Sequence, residues 1–361
     1  MIIKFLELDD YRNYEKLSIK FDKGINILYG DNAQGKTNIL EAIYYLSTTR
    51  SHRGNKDREI IRFGCSESHI RALFNKNDVE YQIDIHLRKE KSKGIAVNGV
   101  KLKKAAELLG IANIIIFSPE DLSIIKNGPS ERRNFVDSEL CQLDKIYLYN
   151  LTNYNKIVNQ RNNLLKDIII HPELRDTLEV WDTQLINIGN KIIERRKLFT
   201  DQLNEIIVDI HKNISGGNEE LKIIYDPNID IEGFEEKLKR RRENDIRYKM
   251  TSVGPHRDDF IFKINDVDIK KYGSQGQQRT AALSLKLAEI KLVERLSGSM
   301  PILLLDDVLS ELDSNRQNYL LNSIKDIQTI VTCTGLDEFI NSRIEINKIF
   351  KITEGTVKRE N

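Results

Sequence analysis

Residues 30–37 read Gly-Asp-Asn-Ala-Gln-Gly-Lys-Thr and satisfy G-x-x-x-x-G-K-[ST] at every fixed position. Each residue type has a task in holding a triphosphate. Gly30 and Gly35 let the backbone turn so that the N–H groups across Asp31, Asn32, Ala33 and Gln34 face phosphate oxygens. Lys36 is long enough to reach β- and γ-phosphates, and the Thr37 hydroxyl is a ligand for Mg2+. The flanks suit this chemistry. Residues 25–29 (INILY) form an apolar strand signal before the loop, and residues 39–46 read as a helix after it. The N-terminus of that helix adds partial positive charge.

A second group of chemical residues lies in the last third. Ser274-Gln275-Gly276-Gln277-Gln278-Arg279 precedes a helical stretch over 280–296. A serine and a glycine backbone at a helix N-terminus form an anion-binding site. Pro301-Ile302-Leu303-Leu304-Leu305-Asp306-Asp307 is an apolar strand ending in two carboxylates, the Walker B pattern. The first acid, Asp306, faces Mg2+, usually through water. The second, Asp307, is placed to polarise an attacking water. Ser310-Glu311-Leu312-Asp313 follows, and residues 330–334 (IVTCT) read as a further strand whose polar end comes alongside the same phosphates.

The remaining elements must position these groups. Residues 2–8 and 17–21 read as strands before the loop strand, with Tyr11-Arg12-Asn13-Tyr14 between them. Arg12 is either a neighbour of the nucleotide or a solvated turn arginine. Residues 70–74 and 79–87 alternate as a half-exposed antiparallel sheet does, and Asn98-Gly99 marks a tight hairpin. Residues 112–117 (ANIIIF) form a continuous apolar run, the mark of a strand buried on both faces. Residues 130–213 read as helix. One apolar seam runs from Leu140 to Leu165 and a second from Leu178 to Ile210, with His171-Pro172 as the break. Two antiparallel helices of ~40 Å each are expected. They serve either as a packed subdomain or as an arm touching DNA or a partner. After them, 221–225 and 260–264 read as strands and 232–248 as a basic helix. The polar turn Gly254-Pro255-His256-Arg257-Asp258-Asp259 reads as paired charges fixing a loop, since nothing in its spacing argues for a metal.

Composition sets bounds. The chain has 361 residues, 40% hydrophobic and 31% charged, enough apolar material for a sizeable core. A net charge of +1 means that any nucleic-acid site is a local patch, not a global field. Basic residues concentrate in 50–62, 88–104 and 237–249, which serve either as solvated faces or as phosphate-backbone contacts. Cys65, Cys141 and Cys333 show no metal spacing and suit a reducing compartment. With no apolar run of ~20 residues and acids early in the N-terminal stretch, a cytoplasmic protein with no membrane partner is expected.

The order of these motifs resembles the ABC-type ATPase heads shared by the SMC and related repair proteins. It resembles most closely the RecF family of bacterial recombination and gap repair. The likeness is carried by YRNY at 11–14, GDNAQGKTNILEAI at 30–43, FSPEDL at 117–122, GPSERRNFVD at 128–137, GPHRDDF at 254–260, GSQGQQR at 273–279 and LLLDDVLSELD at 303–313. It spans nearly the whole length. The resemblance implies an α/β fold: an ABC-ATPase head with a mixed sheet around a P-loop core and an inserted helical subdomain containing an antiparallel helical hairpin. The corresponding division is 1–128 and 216–361 as the two parts of the ATPase domain, with 129–215 inserted.

The resemblance also implies roles. Gly30, Asp31, Asn32, Ala33, Gln34, Gly35, Lys36 and Thr37 hold ATP, and Thr37 and Asp306 bind Mg2+. Asp307 and Lys36 act in hydrolysis. Ser274, with Gly276 and Gln277, contacts the γ-phosphate of the nucleotide held by a second copy, so that a homodimer closes over two ATP molecules. DNA is the implied partner, single-stranded or at single-strand/double-strand junctions, with nucleoid association, loading of RecA, and mediators such as RecR and RecO. The chain departs from transporter-type relatives in three places. Asp307 stands where a glutamate is usual, Thr332 and Thr334 follow the last strand without a histidine, and no glutamine follows residues 112–117. Each departure favours slow hydrolysis, because general-base help is worth ~10²–10⁴-fold. Two other readings stand beside this one, a motor for a membrane transporter and an ATP-stabilised scaffold. The separation of Lys36 from Ser274, with a helical insertion inside it, exceeds what a compact transporter motor needs.

Overall fold

The computed structural model describes residues 1–54, 56–336 and 345–360. The chain divides into two compact units, Met1–Asp121 with Leu283–Asn361, and Leu122–Ala282.

In the first unit one sheet is built around the loop strand, in the order β15-β14-β3-β13-β12-β8. Its members are β3 (Ile25–Tyr29), β8 (Ile114–Phe117), β12 (Ile302–Asp306), β13 (Thr329–Cys333), β14 (Ile346–Thr353) and β15 (Thr356–Arg359). All neighbours are parallel except β14 and β15. β8, β12 and β13 are buried along their whole length. Such runs need cover on both faces, which is why they read as uninterrupted apolar sequence. Helix α1 (Lys36–Thr48) packs on this sheet. The second sheet of this unit is antiparallel, in the order β2-β1-β4-β5-β6-β7. It comprises β1 (Ile2–Tyr11), β2 (Tyr14–Lys20), β4 (Glu67–Lys76), β5 (Val79–Arg88), β6 (Gly94–Val97) and β7 (Val100–Lys101). Buried and partly exposed positions alternate along β4, as in a sheet with one wetter face. Asn98-Gly99 makes the expected tight turn, with positive φ at both residues. α2 (Asp57–Ile60) is a single turn.

The second unit is mainly helical: α3 (Leu122–Lys126), α4 (Pro129–Leu143), α5 (Lys145–Asp167), α6 (Leu178–Ile214), α7 (Phe234–Tyr248) and α8 (Ile269–Tyr272), with a small sheet of β9 (Leu221–Asp226), β10 (Asp259–Ile264) and β11 (Val267–Asp268). Residues 216–282 fall within this unit. β9 docks on α6, where the Asn204 side chain donates to the Ile223 carbonyl at 2.7 Å and accepts from its N–H at 2.8 Å. α9 (Gln275–Ser297) begins in this unit and continues into the first, and α10 (Ser314–Ser323) lies in the first. Among the described residues no helix is long and apolar enough to cross a membrane.

The helical seams are largely as expected, but the two helices are unequal: α5 has 23 residues and α6 has 37. The reason is a second break. The Asp144 carboxylate caps α5 by accepting from the Ile146 and Tyr147 N–H groups, so Leu140 and Leu143 belong to α4. α5 and α6 run antiparallel, since Arg195 on α6 reaches Asp144 at the start of α5 and Arg161 near the end of α5 reaches Asp182 near the start of α6.

That second contact is fully buried. Arg161 donates to Asp182 at 2.7 Å, to Asp245 at 2.8 Å and to the Thr251 hydroxyl at 3.0 Å. Removing the cation leaves two buried carboxylates under-compensated, which costs on the order of 3–5 kcal/mol. Arg161→Met is expected to lower the urea midpoint accordingly, and adding Asp245→Asn to it should recover part of the loss.

Candidate nucleotide site

The parallel register brings the chemical residues to one edge. Tyr29 at the end of β3 lies opposite Cys333 on β13, and Thr332 lies opposite Asp306 at the end of β12. Open parallel sheets bind ligands beyond the carboxyl ends of their strands, and residues 30–35 leave β3 at that edge.

The loop adopts backbone that most side chains resist. Gly30 has φ +153°, and a Cβ there would lie 2.3 Å from the Ile352 carbonyl oxygen. Gly35 has φ +113°, and a Cβ would come within 2.5 Å of the Asn13 side chain. Both positions therefore admit only glycine. Lys36, which opens α1, is buried, and its ammonium donates to the carbonyls of Gly30 at 2.5 Å and Asp31 at 3.0 Å. The cation thus fills the curl of the loop that the sequence motif assigns to phosphate.

Thr37, one residue later, donates from Oγ1 to Asp306 Oδ1 at 2.9 Å. Thr332 Oγ1 donates to the same oxygen at 2.7 Å and accepts from the Asp307 N–H at 2.9 Å. Burial raises the Asp306 pKa, the hydrogen bonds from Thr332 and Thr37 oppose the rise, and the neighbouring Asp307 charge adds to it. Asp307 holds φ +50°, unusual for a residue other than glycine, and its carbonyl accepts from Ser310 Oγ at 2.8 Å. Left-handed backbone costs an L-residue ~1–2 kcal/mol, a strain that Asp tolerates better than most. Thr37 and Asp306 offer one hydroxyl and one carboxylate oxygen, hard donors that suit Mg2+ when phosphate and water complete its shell. Among the described residues no group of three or more His, Cys, Asp or Glu could hold a metal ion.

The loop is braced from behind by residues whose importance the sequence only partly signalled. The turn between β1 and β2 does most of this. Asn13 Nδ2 donates to the Gln34 carbonyl at 2.9 Å, and Tyr14 OH donates to the Gly35 carbonyl at 3.1 Å. Arg12 is not a solvated turn residue. Its guanidinium grips the buried Glu41 of α1 through Nε at 2.7 Å and Nη2 at 2.5 Å, and Ser51 Oγ donates to Glu41 at 2.5 Å. Beside it, the β14–β15 turn also donates to Gln34: Glu354 N–H reaches its side-chain oxygen at 2.5 Å and Gly355 N–H its carbonyl at 3.3 Å. Glu41 and Gln34 were legible as motif positions, but their partners come from contacts distant in sequence that no spacing rule encodes.

His52 lies just beyond α1, edge-on to Tyr44 at 5.7 Å between ring centroids. Its Nδ1 is buried and makes no hydrogen bond. Burial pushes its pKa down to about 4, although Glu41 pulls the other way.

Ser274, Gly276 and Gln277 belong to the second unit. Ser274 Oγ accepts from the Gln277 N–H at 3.1 Å, and Gln277 Oε1 accepts from the Ser274 N–H at 2.9 Å. This reciprocal capping box starts α9. Ser274, Gln275 and Gly276 are exposed there. The Gly254–Asp259 turn is a set of paired charges. Asp258 binds the buried Arg196 at 2.9 Å, Asp259 binds Arg132 at 2.6 Å, and His256 Nδ1 meets Tyr154 OH at 2.8 Å. In the basic run 88–104, Lys93 turns inward to Asp57, Tyr45 OH and the Thr49 carbonyl.

Comparison with known proteins agrees with this geometry. The family model described as the RecF/RecN/SMC N terminal domain matches residues 2–358. The chain is 63% identical to a DNA replication and repair protein RecF of Lachnospira eligens over 100% of both chains. It is 62% identical to one of Agathobacter rectalis over 99% of each. Among solved structures, the recombination mediator protein RecF-ATPrS in the RecFOR pathway superposes with TM-score 0.92 at 39% identity, covering 100% of this chain and 98% of that one. An Smc head domain of Pyrococcus furiosus matches with TM-score 0.58 at 18% identity, over 99% of this chain and 95% of that one, a likeness of fold alone. The expected architecture, an ABC-type head with an inserted helical hairpin, is the one found.

Two outcomes follow from the bracing. Arg12→Met strands the buried Glu41 carboxylate and is expected to cost on the order of 3 kcal/mol in urea unfolding, while Arg12→Met/Glu41→Leu costs less than the sum of the single changes. His52 takes up a proton at its ordinary pKa of ~6.5 when unfolded but resists protonation when folded. Stability should therefore fall as pH drops from about 6.5 toward about 4. His52→Gln should flatten that limb in unfolding curves recorded across the interval.

Proposed function

The chain belongs to the RecF/RecN/SMC N-terminal domain family, and we propose that it is an ATP-gated DNA-binding protein of recombinational repair and replication-fork maintenance. The observation that carries this reading is the hydrogen bond from Thr37 to Asp306, which joins the phosphate loop to the carboxylate strand. The names of the relatives, DNA replication and repair protein RecF, support the DNA half. The similar chain solved as RecF-ATP in the RecFOR pathway supports the nucleotide half.

In the proposed mechanism the N–H groups of the loop and the start of α1 hold the triphosphate of ATP. Lys36 leaves the Gly30 and Asp31 carbonyls for the β- and γ-phosphate oxygens, exchanging neutral acceptors for charged ones. Thr37 and Asp306 hold Mg2+, which when bound neutralises phosphate charge. Thr332 keeps the Asp306 carboxylate aimed and, through the Asp307 N–H, sets the backbone from which Asp307 orients the attacking water. With Asp307 in place of the longer glutamate, hydrolysis is slow.

Ser274 and the exposed start of α9 complete the site in trans. The capping box consumes the Gln277 N–H and leaves the first helical N–H groups free for an anion. We assign that anion as the γ-phosphate held by a second copy, so the ATPase is completed only in the homodimer. The closed dimer binds DNA at single-strand/double-strand junctions and helps load RecA, with RecR and RecO as partners, in the cytoplasm and on the nucleoid.

Light scattering after gel filtration tests this. Asp307→Asn with excess ATP should elute as a dimer, Asp307→Asn/Ser274→Arg as a monomer, and ATP-dependent retention on gapped DNA should follow the dimer. An Asp307→Asn chain that stays monomeric in saturating ATP would overturn the reading. If Lys36→Met changed neither dimerisation nor DNA affinity, nucleotide would be only a scaffold.

A further inference from the structure

The segment 237–249 carries Lys237, Lys239, Arg240, Arg241, Arg242, Arg247 and Lys249 against Glu243 and Asp245. The fold sorts these charges into two classes. Arg242 turns to Asp182 at 2.8 Å, Lys239 pairs with Glu235 at 2.6 Å, and Lys237 donates to the Asn228 carbonyl at 2.6 Å. Both acids are engaged as well: Asp245 is buried against Arg161 at 2.8 Å, and Glu243 pairs with Arg175. Among the described residues, none puts a carboxylate on Arg240, Arg241, Arg247 or Lys249.

The four cations left over share one surface. Arg240 and Arg247, and likewise Arg241 and Tyr248, are separated by about two helical turns, so they form one exposed stripe along α7. Tyr248 is 67% exposed, and the Arg247 guanidinium lies 5.7 Å from its ring centroid. Lys249, with φ +56°, ends the helix directly after Tyr248 and is exposed, and Arg257 donates to Met250 Sδ at 2.8 Å.

We propose that this α7 stripe binds a single-stranded polynucleotide, with Arg240, Arg241, Arg247 and Lys249 on its phosphates and the Tyr248 ring stacked on a base. The inference rests on the reading of the chain as a DNA-binding protein and adds a contact surface remote in sequence from the nucleotide loop. Guanidinium groups suit phosphate because their planar fork takes two oxygens at once. An exposed ring beside them matches a strand whose bases are free to stack, which a duplex does not offer. A membrane surface would need a broader apolar band than Tyr248 and Met250 supply. An acidic peptide would use the cations and leave the ring without a role.

The test uses the full chain with saturating ATP and a fluorescein-labelled oligothymidylate of about thirty nucleotides, with affinity read by anisotropy over a NaCl series. Replacing Arg240 and Arg247 together by Gln should make the slope of log K against log salt shallower by about 1.4, at ~0.7 per lost cation. Tyr248→Leu should weaken binding at least ~5-fold at unchanged slope, and Tyr248→Phe should not. Polyglutamate at equal charge should fail to displace the oligonucleotide. Unchanged affinity and slope in the Arg variant, parental binding by Tyr248→Leu, or displacement by polyglutamate would each overturn the stripe while leaving the proposed function standing. An unaltered chain that binds no DNA would sink both.

Discussion

One carboxylate oxygen, Asp306 Oδ1, accepts hydrogen bonds from Thr37 and from Thr332. It therefore joins the helix after the glycine turn, the acid strand β12 and the neighbouring strand β13 at one point. Burial makes the charged form of Asp306 costly, and the two hydroxyls answer that cost. A charge so placed has few alternatives. It needs hydroxyl donors, or a cation, within reach, and the parallel strands behind it are too well packed to yield elsewhere.

Around that point the molecule is organised for rigidity. The loop strand β3 sits between β13 and β14, and the turns at residues 11–14 and 353–356 both hold the Gln34–Gly35 end of the loop. The second unit uses a different device. Arg161 and Arg196 are both fully buried, and each is matched to carboxylates from separate segments. Two apolar seams could slide past one another by a turn with little penalty. Buried ion pairs at fixed positions remove that freedom, because a slipped register would leave charges stranded.

Much of this was legible in the sequence, for identifiable reasons. The Gly30–Thr37 loop, the apolar strand ending in Asp306 and the helix start after Ser274 are local patterns in which spacing dictates geometry. The break at His171-Pro172 and the turn at Asn98-Gly99 belong to the same class. The role of Arg12 was not legible, because its partner Glu41 lies two strands and a loop further along the chain. The docking of β9 on α6 was not legible either, since it depends on a contact between residues 204 and 223 that no periodicity announces. The Asp144 cap was visible in principle, as an acid ahead of a new helix, but the heptad-like spacing of Leu140, Leu143 and Tyr147 masked the break.

The clamp on Gln34 has a bearing on biosynthesis. Glu354 donates to that residue across 320 positions of sequence, so a nascent chain still attached at the ribosome carries an unfinished glycine turn until residue 354 has been translated. Domains generally fold in the order in which they emerge, and here an early segment must wait for a late one.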